Sequence, residues 1–574
     1  MGPPPVTAAE ALPPPLLRAP PFPWADAAVS RPASGGEAEA DCTAAFDLIR
    51  AAQVGGRFWA APARLVEPVG AVLLPGAPED IPTLLGRLDP AERRRALWIA
   101  PPASASAARR WSSILARLTA AEGGAWRGDV DPWSVLGEAE RVVAHGSDEW
   151  VALGRIAGLP VEVLSPGRFG APGEDGSTLD QHVARALAET AWRDPFTDRE
   201  STIEVAVELL ATWRRMLEAN RPLAAASGMA WWKRTEIRHL LWHPQRKLHL
   251  VRGAGHAVRV AARGGGALAI WPSRVSPALL RQAREQGVPL VRVEDGFVRS
   301  VGLGVDLVPP SSVVVDSSGI HFDPSGPSDL ETILEGTEFS PALRDRAAAL
   351  RDAIVAGGIS KYSAGGAAPL PPREPGRRLV LVPGQVEDDM SVLAGGGGLT
   401  SNLELLRRAR ALEPAAEIWF RPHPDVDAGH RKGAVPDAAI LEYADRVVRG
   451  GGMAPLLDAV DTVHVLTSLT GFEALMRGRE VTCHGTPFYA GWGLTRDLGE
   501  VPARRSRKLA LDELVAGVLI LYPRYLDPVT GLPCRPEVLV RRMADAGAGV
   551  RYANRLGWIA PLRRWQGRIM AAIR

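Results

Sequence analysis

VPLVRVEDGFVRSVGLG, residues 288–304, decides the fold class. Its first half is short, apolar and rich in β-branched residues, the composition of a strand. It stops at two adjacent acids, Glu294 and Asp295, and Gly296 then permits a tight turn. If the strand belongs to a parallel sheet, both acids stand at its carboxyl end, where α/β folds form ligand sites. Arg299 adds a cation suited to a carboxylate or phosphate. On spacing alone, two adjacent acids after one strand are more often just a solvated turn.

The same design recurs on both sides. LHLVRG (248–253), ALAIWPS (267–273) and SSVVVDSSG (311–319) are further strand-like runs. After the Gly- and Pro-rich, basic stretch Gly357–Arg378, which reads as a linker between lobes, come RLVLVPG (378–384), EIWFRPHP (417–424), TVHVLTS (462–468) and EVTCHGTP (480–487). Helical stretches separate them, so two parallel-sheet lobes are expected.

Three of these strands run into polar loops. LVPGQVEDDMSV (381–392) presents Gln385, Asp388 and Asp389, and a carboxylate there suits a nucleophile or base. An Asp before a helix is also an ordinary N-cap, though the following AGGGG (394–398) favours a loop beside a ligand. IWFRPHPDV (418–426) places Arg421 and His423 between prolines, a pair suited to a phosphate or a sugar carboxylate. TSLTGFEALMRG (467–478) offers the hydroxyls of Ser468 and Thr470 at a helix start, an anion site. Glu473 is placed in that helix's first turn, suited to ribose hydroxyls; a plain Ser/Thr cap with a capping box fits the local sequence as well.

Upstream, residues 1–40 are rich in Pro, Ala and Gly and read as a disordered lead-in. Strand-like VGAVLLPG (69–76) and RALWIAPP (95–102) alternate with helical stretches, and a helix is expected over 201–220. The chain then meets a break at Pro222 and the small-residue run AAASG (224–228). LWIAPPA at Leu97 resembles IWFRPHP at Ile418, 321 positions on, and GRIAGLPVEVLSPGRF at Gly154 resembles ALMRGREVTCHGTPFY at Ala474, 320 positions on. RDPFT (193–197) resembles LDPVT (526–530). Residues 41–220 therefore read as a shortened copy of the C-terminal lobe. At these offsets Arg421 corresponds to Ala100, His423 to Pro102 and Glu473 to Leu153, so the copy lacks the candidate site groups.

Bulk properties exclude several classes. A net charge of +2 without a clustered basic face outside the tail argues against nucleic acid. Three scattered cysteines, Cys42, Cys483 and Cys534, fit no metal spacing and point to a reducing compartment. No apolar run reaches the ~18 residues of a spanning helix, and the N-terminus lacks the parts of a secretory signal. HExxH, P-loop and GxSxG motifs are absent, so no metal or cofactor is expected.

Taken in order, VEDGFVRSVGLG, SKYSAG (360–365), LVPGQVEDDMS, SNLELL (401–406), RPHPDV, TSLTGFEAL and GTPFYAGWGLT (485–495) resemble the KpsC-type capsule polysaccharide proteins across about 300 residues. The resemblance implies a GT-B-like pair of Rossmann-type lobes and a retaining glycosyltransferase, a β-Kdo transferase. Its donor is CMP-Kdo and its acceptor a Kdo-terminated lipid of the capsule linker. Family members usually carry two complete modules, whereas only the second is complete here. The division expected is a lead-in (1–40), a degenerate, non-catalytic Rossmann-like partial repeat (41–220), an acceptor-side lobe (225–365), a CMP-sugar lobe (375–530) and a helical basic tail (531–574). Asp389 is the expected nucleophile with Asp295 as runner-up. Glu294 or Asp295 is the expected base. Arg299, Lys361 and Arg421 are candidates for the Kdo carboxylate, and Gln385, His423, Ser468, Thr470 and Glu473 for the rest of the donor. A cytoplasmic protein peripheral on the inner membrane is expected, working with other capsule assembly and export proteins. A non-catalytic CMP-sugar-binding scaffold and a GT-B-fold epimerase remain as alternatives.

Overall fold

The computed structural model describes residues 14–32, 42–65, 67–101, 104–299, 308–360, 370–429 and 431–547. The chain divides into two compact units. Unit 1 is the chain up to Arg221 with the short excursion His243–Lys247, and unit 2 is the remainder from Pro222.

Unit 1 contains β1 (Ser30–Pro32), β2 (Val69–Leu73), β3 (Ala96–Ile99), β4 (Ala125–Arg127), β5 (Ala139–Ala144), β6 (Val161–Val163) and β7 (Thr190–Trp192). Its centre is a five-stranded parallel sheet of order β4-β3-β2-β5-β6. Leu73, Trp98 and Val143 of the sheet and Leu115 of the helix Ala105–Glu122 form one buried cluster. The lead-in is not loose over 14–32. Leu16, Leu17, Phe22 and Val29 are buried, and β1 pairs antiparallel with β7. Phe22 sits edge-on to Trp213 at 5.2 Å between centroids. The proline-rich composition hid these few apolar anchors, and prolines are compatible with extended, packed backbone.

In unit 2 the first lobe holds β8 (Leu223–Ser227), β9 (His249–Val251), β10 (Ala267–Ile270), β11 (Leu290–Asp295) and β12 (Ser312–Asp316). The second holds β13 (Leu379–Pro383), β14 (Glu417–Arg421), β15 (Arg446–Val447), β16 (Thr462–Val465), β17 (Glu480–Cys483) and β18 (Arg496–Asp497). The chain then returns as β19 (Pro523–Leu526) and β20 (Pro533–Cys534) to the first lobe's sheet, whose order is β20-β19-β12-β11-β10-β8-β9. The expected lobe boundary at 530 therefore falls inside that returning segment. In the first lobe β8 to β11 run parallel, while β12, β19 and β20 alternate in direction. The second sheet, β15-β14-β13-β16-β17-β18, is parallel throughout. These are two Rossmann-type lobes in a GT-B-like fold. Successive residues of β10 enter different cores. Ala267, Ala269 and Trp271 lie in one cluster, Leu268 and Ile270 in the other, so the sheet is covered on both faces.

The small-residue run that follows the break at Pro222 supplies Ala224–Ser227 to the interior strand β8, whose residues are all buried. Alanine is a weak strand former, but small residues let a helix come close. A Cβ added at Gly264, at the end of the helix Ala254–Arg263, would lie 3.0 Å from the Ala224 methyl. Among the described residues no helix is long and apolar enough to cross a membrane.

Candidate functional site

The carboxyl ends of β13, β14 and β16 carry the second lobe's candidates, and side-chain amides stitch the loops there together. Gln385 Nε2 donates to Thr467 Oγ1 (3.1 Å) and its Oε1 accepts from the Thr467 amide (2.9 Å), joining the loops after β13 and β16. Asn402, from the SNLELL stretch, accepts from the Gln385 amide and donates to the carbonyls of Gln385 and Gly433. Glu387 accepts from the Asn402 amide. The segment 385–389 is thus fixed by hydrogen bonds from outside itself, although it contains no regular element until Met390.

Within it the two aspartates differ. Asp388 is exposed and pairs with Arg431 at 3.0 Å. Asp389 is half-buried, caps the helix Met390–Gly395, and accepts from the Ser391 amide (3.0 Å) and hydroxyl (2.7 Å). It has no ion pair among the described residues. Both readings of Asp389, as cap and as reactive carboxylate, are compatible with this geometry.

Ser468 caps the helix Leu469–Met476, its hydroxyl accepting from the Thr470 amide (3.2 Å) and donating to Thr470 Oγ1 (3.1 Å). Glu473 stands in the second turn of this helix, not the first, because the helix begins already at Leu469, with Ser468 and not Thr470 as its cap. The capping-box reading therefore fails. Glu473 is buried, lining a very small cavity with Phe297, Ile359 and Phe472. His423 caps the short helix Pro424–Asp427 and accepts from the Asp425 amide on Nδ1 (3.2 Å), which places a ring proton on Nε2 when the ring is neutral. Arg421 points elsewhere. Its two terminal nitrogens donate to the carbonyls of Gly450 and Gly451, so it clamps the loop after β15.

In the first lobe, Asp295 ends β11 between two buried cations. Lys233 Nζ lies 2.9 Å from Oδ1 and Arg299 Nε 2.9 Å from Oδ2. Arg299 is 1% exposed and also donates to the Val308 carbonyl. Lys233 lies over the Trp271 ring at 3.6 Å, and burial pushes its pKa down against the pull of Asp295. Asp295 and Arg299 are therefore committed to each other. Neighbouring Glu294 accepts from the Asp295 amide through Oε1. Sequence reading missed Lys233. A lysine beside two tryptophans in MAWWKRTEI was the available signal, but its partner is 62 positions away. Lys361 lies outside the described residues.

Aromatic side chains join the lobes next to these groups. Phe297, in the turn after Asp295, lies 4.7 Å from Phe488 and 6.5 Å from Phe472, with His321 edge-on at 4.9 Å. Glu331 of the first lobe receives Arg504 and Arg505, each at 2.7 Å, and Arg505 also donates to the carbonyls of Pro487 and Ala490. The EDGF and GTPFYAG stretches thus meet in one place. Among the described residues no group of three or more His, Cys, Asp or Glu is placed to hold a metal ion.

With this geometry in view, the chain can be set beside known proteins. The family model described as capsule polysaccharide biosynthesis protein matches residues 266–368 and 370–525. The capsule polysaccharide modification protein LipA of Neisseria meningitidis serogroup A is 38% identical over 395 residues, 67% of this chain and 56% of that protein. The lipopolysaccharide-processing protein LpsZ of Rhizobium meliloti is 45% identical over 289 residues, covering 50% of this chain and 65% of that one. The chain therefore spans between about half and two thirds of the length of these curated relatives. A solved structure of Thermosulfurimonas dismutans KpsC, a beta Kdo 2,7 transferase, is 33% identical and covers 56% of this chain and 98% of its own, with a TM-score of 0.47. The family match falls on the two lobes just described and includes Glu294, Asp295, Asp389, His423 and Glu473, and the chain belongs to the KpsC-type capsule polysaccharide biosynthesis family.

Proposed function

We propose that unit 2 is a retaining glycosyltransferase that moves Kdo from CMP-β-Kdo to the Kdo-terminated lipid acceptor of a capsule linker. Family membership supports a role in capsule polysaccharide synthesis. The environment of Asp389 supports the reaction type. Asp389 is held by a hydroxyl and an amide and carries no ion pair among the described residues, whereas Asp388 and Asp295 are both paired.

In this reading an Asp389 oxygen attacks the anomeric carbon, the bond to the phosphate oxygen breaks, and CMP leaves. The covalent adduct has inverted configuration. The acceptor hydroxyl then attacks the same carbon, its proton passing to Glu294, and the Asp389 carboxylate is released with net retention. Asp295, fixed by Lys233 and Arg299, positions β11's end and is not the base. The CMP phosphate lies against Ser468, Thr470 and His423, with Glu473 toward the ribose. Arg299 and Arg421 are occupied by protein partners, which leaves Lys361 for the Kdo carboxylate.

Asp389→Asn tests the reading, because asparagine caps a helix as well as aspartate and the fold is retained. Transfer should fall at least roughly a thousandfold while CMP affinity is nearly unchanged. The unaltered protein given donor alone should show an added Kdo by intact mass. A variant with near-normal turnover would remove Asp389 from the chemistry.

A further inference from the structure

A cavity of about 590 Å³ opens in unit 1, the part of the chain outside the family match. Residues just beyond β2, β3 and β4 line it, among them Pro75, Ala100 and Asp129. This is the carboxyl edge of a parallel sheet, the usual location of ligand sites in such folds, and the volume lies within the range of small-molecule pockets. The corresponding strand ends of unit 2 carry the candidate donor site. Unit 1's sheet has the same strand order as five strands of that lobe, with β3 standing for β14 and β5 for β16.

The chemistry of the lining differs from that of a nucleotide site. At the 320-residue offset Ser468 corresponds to Asp148 and Leu469 to Glu149. The helix Glu149–Ile156 thus starts with two carboxylates facing the cavity instead of hydroxyls. A phosphate placed there would meet both. The cavity's formal charges balance, with Arg18, Arg57 and Arg168 against Asp129, Asp148 and Glu149. Glu149 is held in a two-bond pair by Arg18 (2.6 and 2.9 Å) and Asp129 by Arg57 (2.8 Å). Arg168 has no ion pair among the described residues and donates to the Ala186 carbonyl. A purely apolar ligand would cover these charged groups without satisfying them. A polyhydroxylated ligand donates to the carboxylates and accepts from the guanidiniums, and its C–H faces suit the rings of Trp150 and Phe169, which also line the cavity.

We infer that unit 1 is a carbohydrate-binding domain whose cavity takes one or two neutral sugar units and no nucleotide. The inference stands apart from the transferase reading of unit 2, since it requires no turnover.

The test uses the full chain and ligand-observed NMR titration with the methyl glycosides of glucose, galactose and N-acetylglucosamine. At least one should bind saturably, and saturating CMP should leave that binding unchanged. Asp148→Asn keeps the helix cap and Arg168→Ala leaves no acid unpaired, so both should fold, which a thermal melt verifies. Each should weaken the glycoside at least about tenfold. The inference is overturned if no glycoside saturates below roughly 10 mM, if CMP displaces the glycoside, or if both variants bind it as the unaltered protein does.

Discussion

At the scale of single residues, the carboxylates are told apart by what holds them. Glu294, Asp295, Asp388 and Asp389 all looked alike in the sequence, as acids at strand ends. The ion pairs that separate them come from Lys233 and Arg431, which sequence spacing does not connect to them. A direct consequence is that Asp295→Asn leaves two buried cations short of a counter-charge, and should destabilise unit 2 by about 3–5 kcal/mol. Asp389→Asn should leave its melting temperature within a degree or two. Equal melting temperatures for the two variants would contradict the positioning role given to Asp295. Asp148 in unit 1 behaves in the opposite sense. Burial raises its carboxyl pKa to about 6, with Glu149 adding to the rise and the Trp150 amide opposing it. In the unfolded chain the value is near 3.9. Above pH 6 both states are ionised and the folded state bears the cost of the buried charge. As pH falls from 6 toward 4 the folded protein takes up the proton first and the cost is relieved. Asp148→Asn should therefore stabilise unit 1 at pH 7–8, by on the order of 1–3 kcal/mol, and the gain should vanish near pH 4. Melting curves at the two pH values decide it.

Whole elements were legible where apolar runs were long and punctuated, and illegible where tertiary packing overrode composition. β10, β11, β12, β13, β14, β16 and β17 fall on the quoted strand-like runs. β8 does not, because Leu-Ala-Ala-Ala-Ser carries no strand signal of its own and is extended only because a helix covers it closely. For the helix Leu469–Met476 the sequence suggests too late a start, which places Glu473 one turn too near its beginning. Its docking gives a sharp prediction. Gly471 is helical, and any Cβ there would overlap the Tyr489 hydroxyl, which donates to the Ser468 carbonyl. Tyr489 is completely buried, and burial raises its hydroxyl pKa well above the ordinary value. The helix start and the GTPFYAG loop are therefore one assembly. Gly471→Ala should cost about 2–3 kcal/mol by overpacking. Tyr489→Phe should cost about 1–2 kcal/mol, through the lost hydrogen bond and the unpaired carbonyl. Because the phenylalanine variant removes the nearest of the overlapping atoms, although ring carbons at 2.7 and 2.9 Å remain, the double variant should lose somewhat less than the sum. Additive losses in denaturant titrations would show that the two residues are independent.

Over the whole molecule, the strongest long-range signal was the near-constant offset between residues 97–169 and 418–489. Unit 1's sheet and the second lobe of unit 2 share strand order and direction across five strands. The RDPFT and LDPVT stretches form the same turn. Asp194 accepts from the Phe196 amide and the Thr197 hydroxyl, as Asp527 does from the Val529 amide and the Thr530 hydroxyl. Sequence reading stopped at what the first copy had lost, since Ala100, Pro102 and Leu153 carry no charge. The cavity was invisible to it because Arg18 and Arg57 come from segments outside the repeat match. The C-terminal stretch RYANRLGWIAPLRRWQGRIMAAIR (551–574) lies outside the described residues and rests on composition alone. It has six arginines, Arg551, Arg555, Arg563, Arg564, Arg568 and Arg574, and no acid. From Leu562 onward, Trp565, Ile569, Met570 and Ile573 follow helical spacing, and Pro561 suits a first helical position. Arginine and tryptophan on opposite faces of one helix make an interfacial anchor, and each basic residue near an anionic leaflet contributes about 1 kcal/mol. A lipid-linked acceptor would give such an anchor a purpose, by keeping unit 2 near its substrate. The full chain should sediment with anionic vesicles and much less with neutral ones, and the preference should weaken with salt. A chain ending at 548 should lose it. Equal sedimentation of the two chains, or no preference for anionic lipid, would assign the tail's arginines to protein contacts instead.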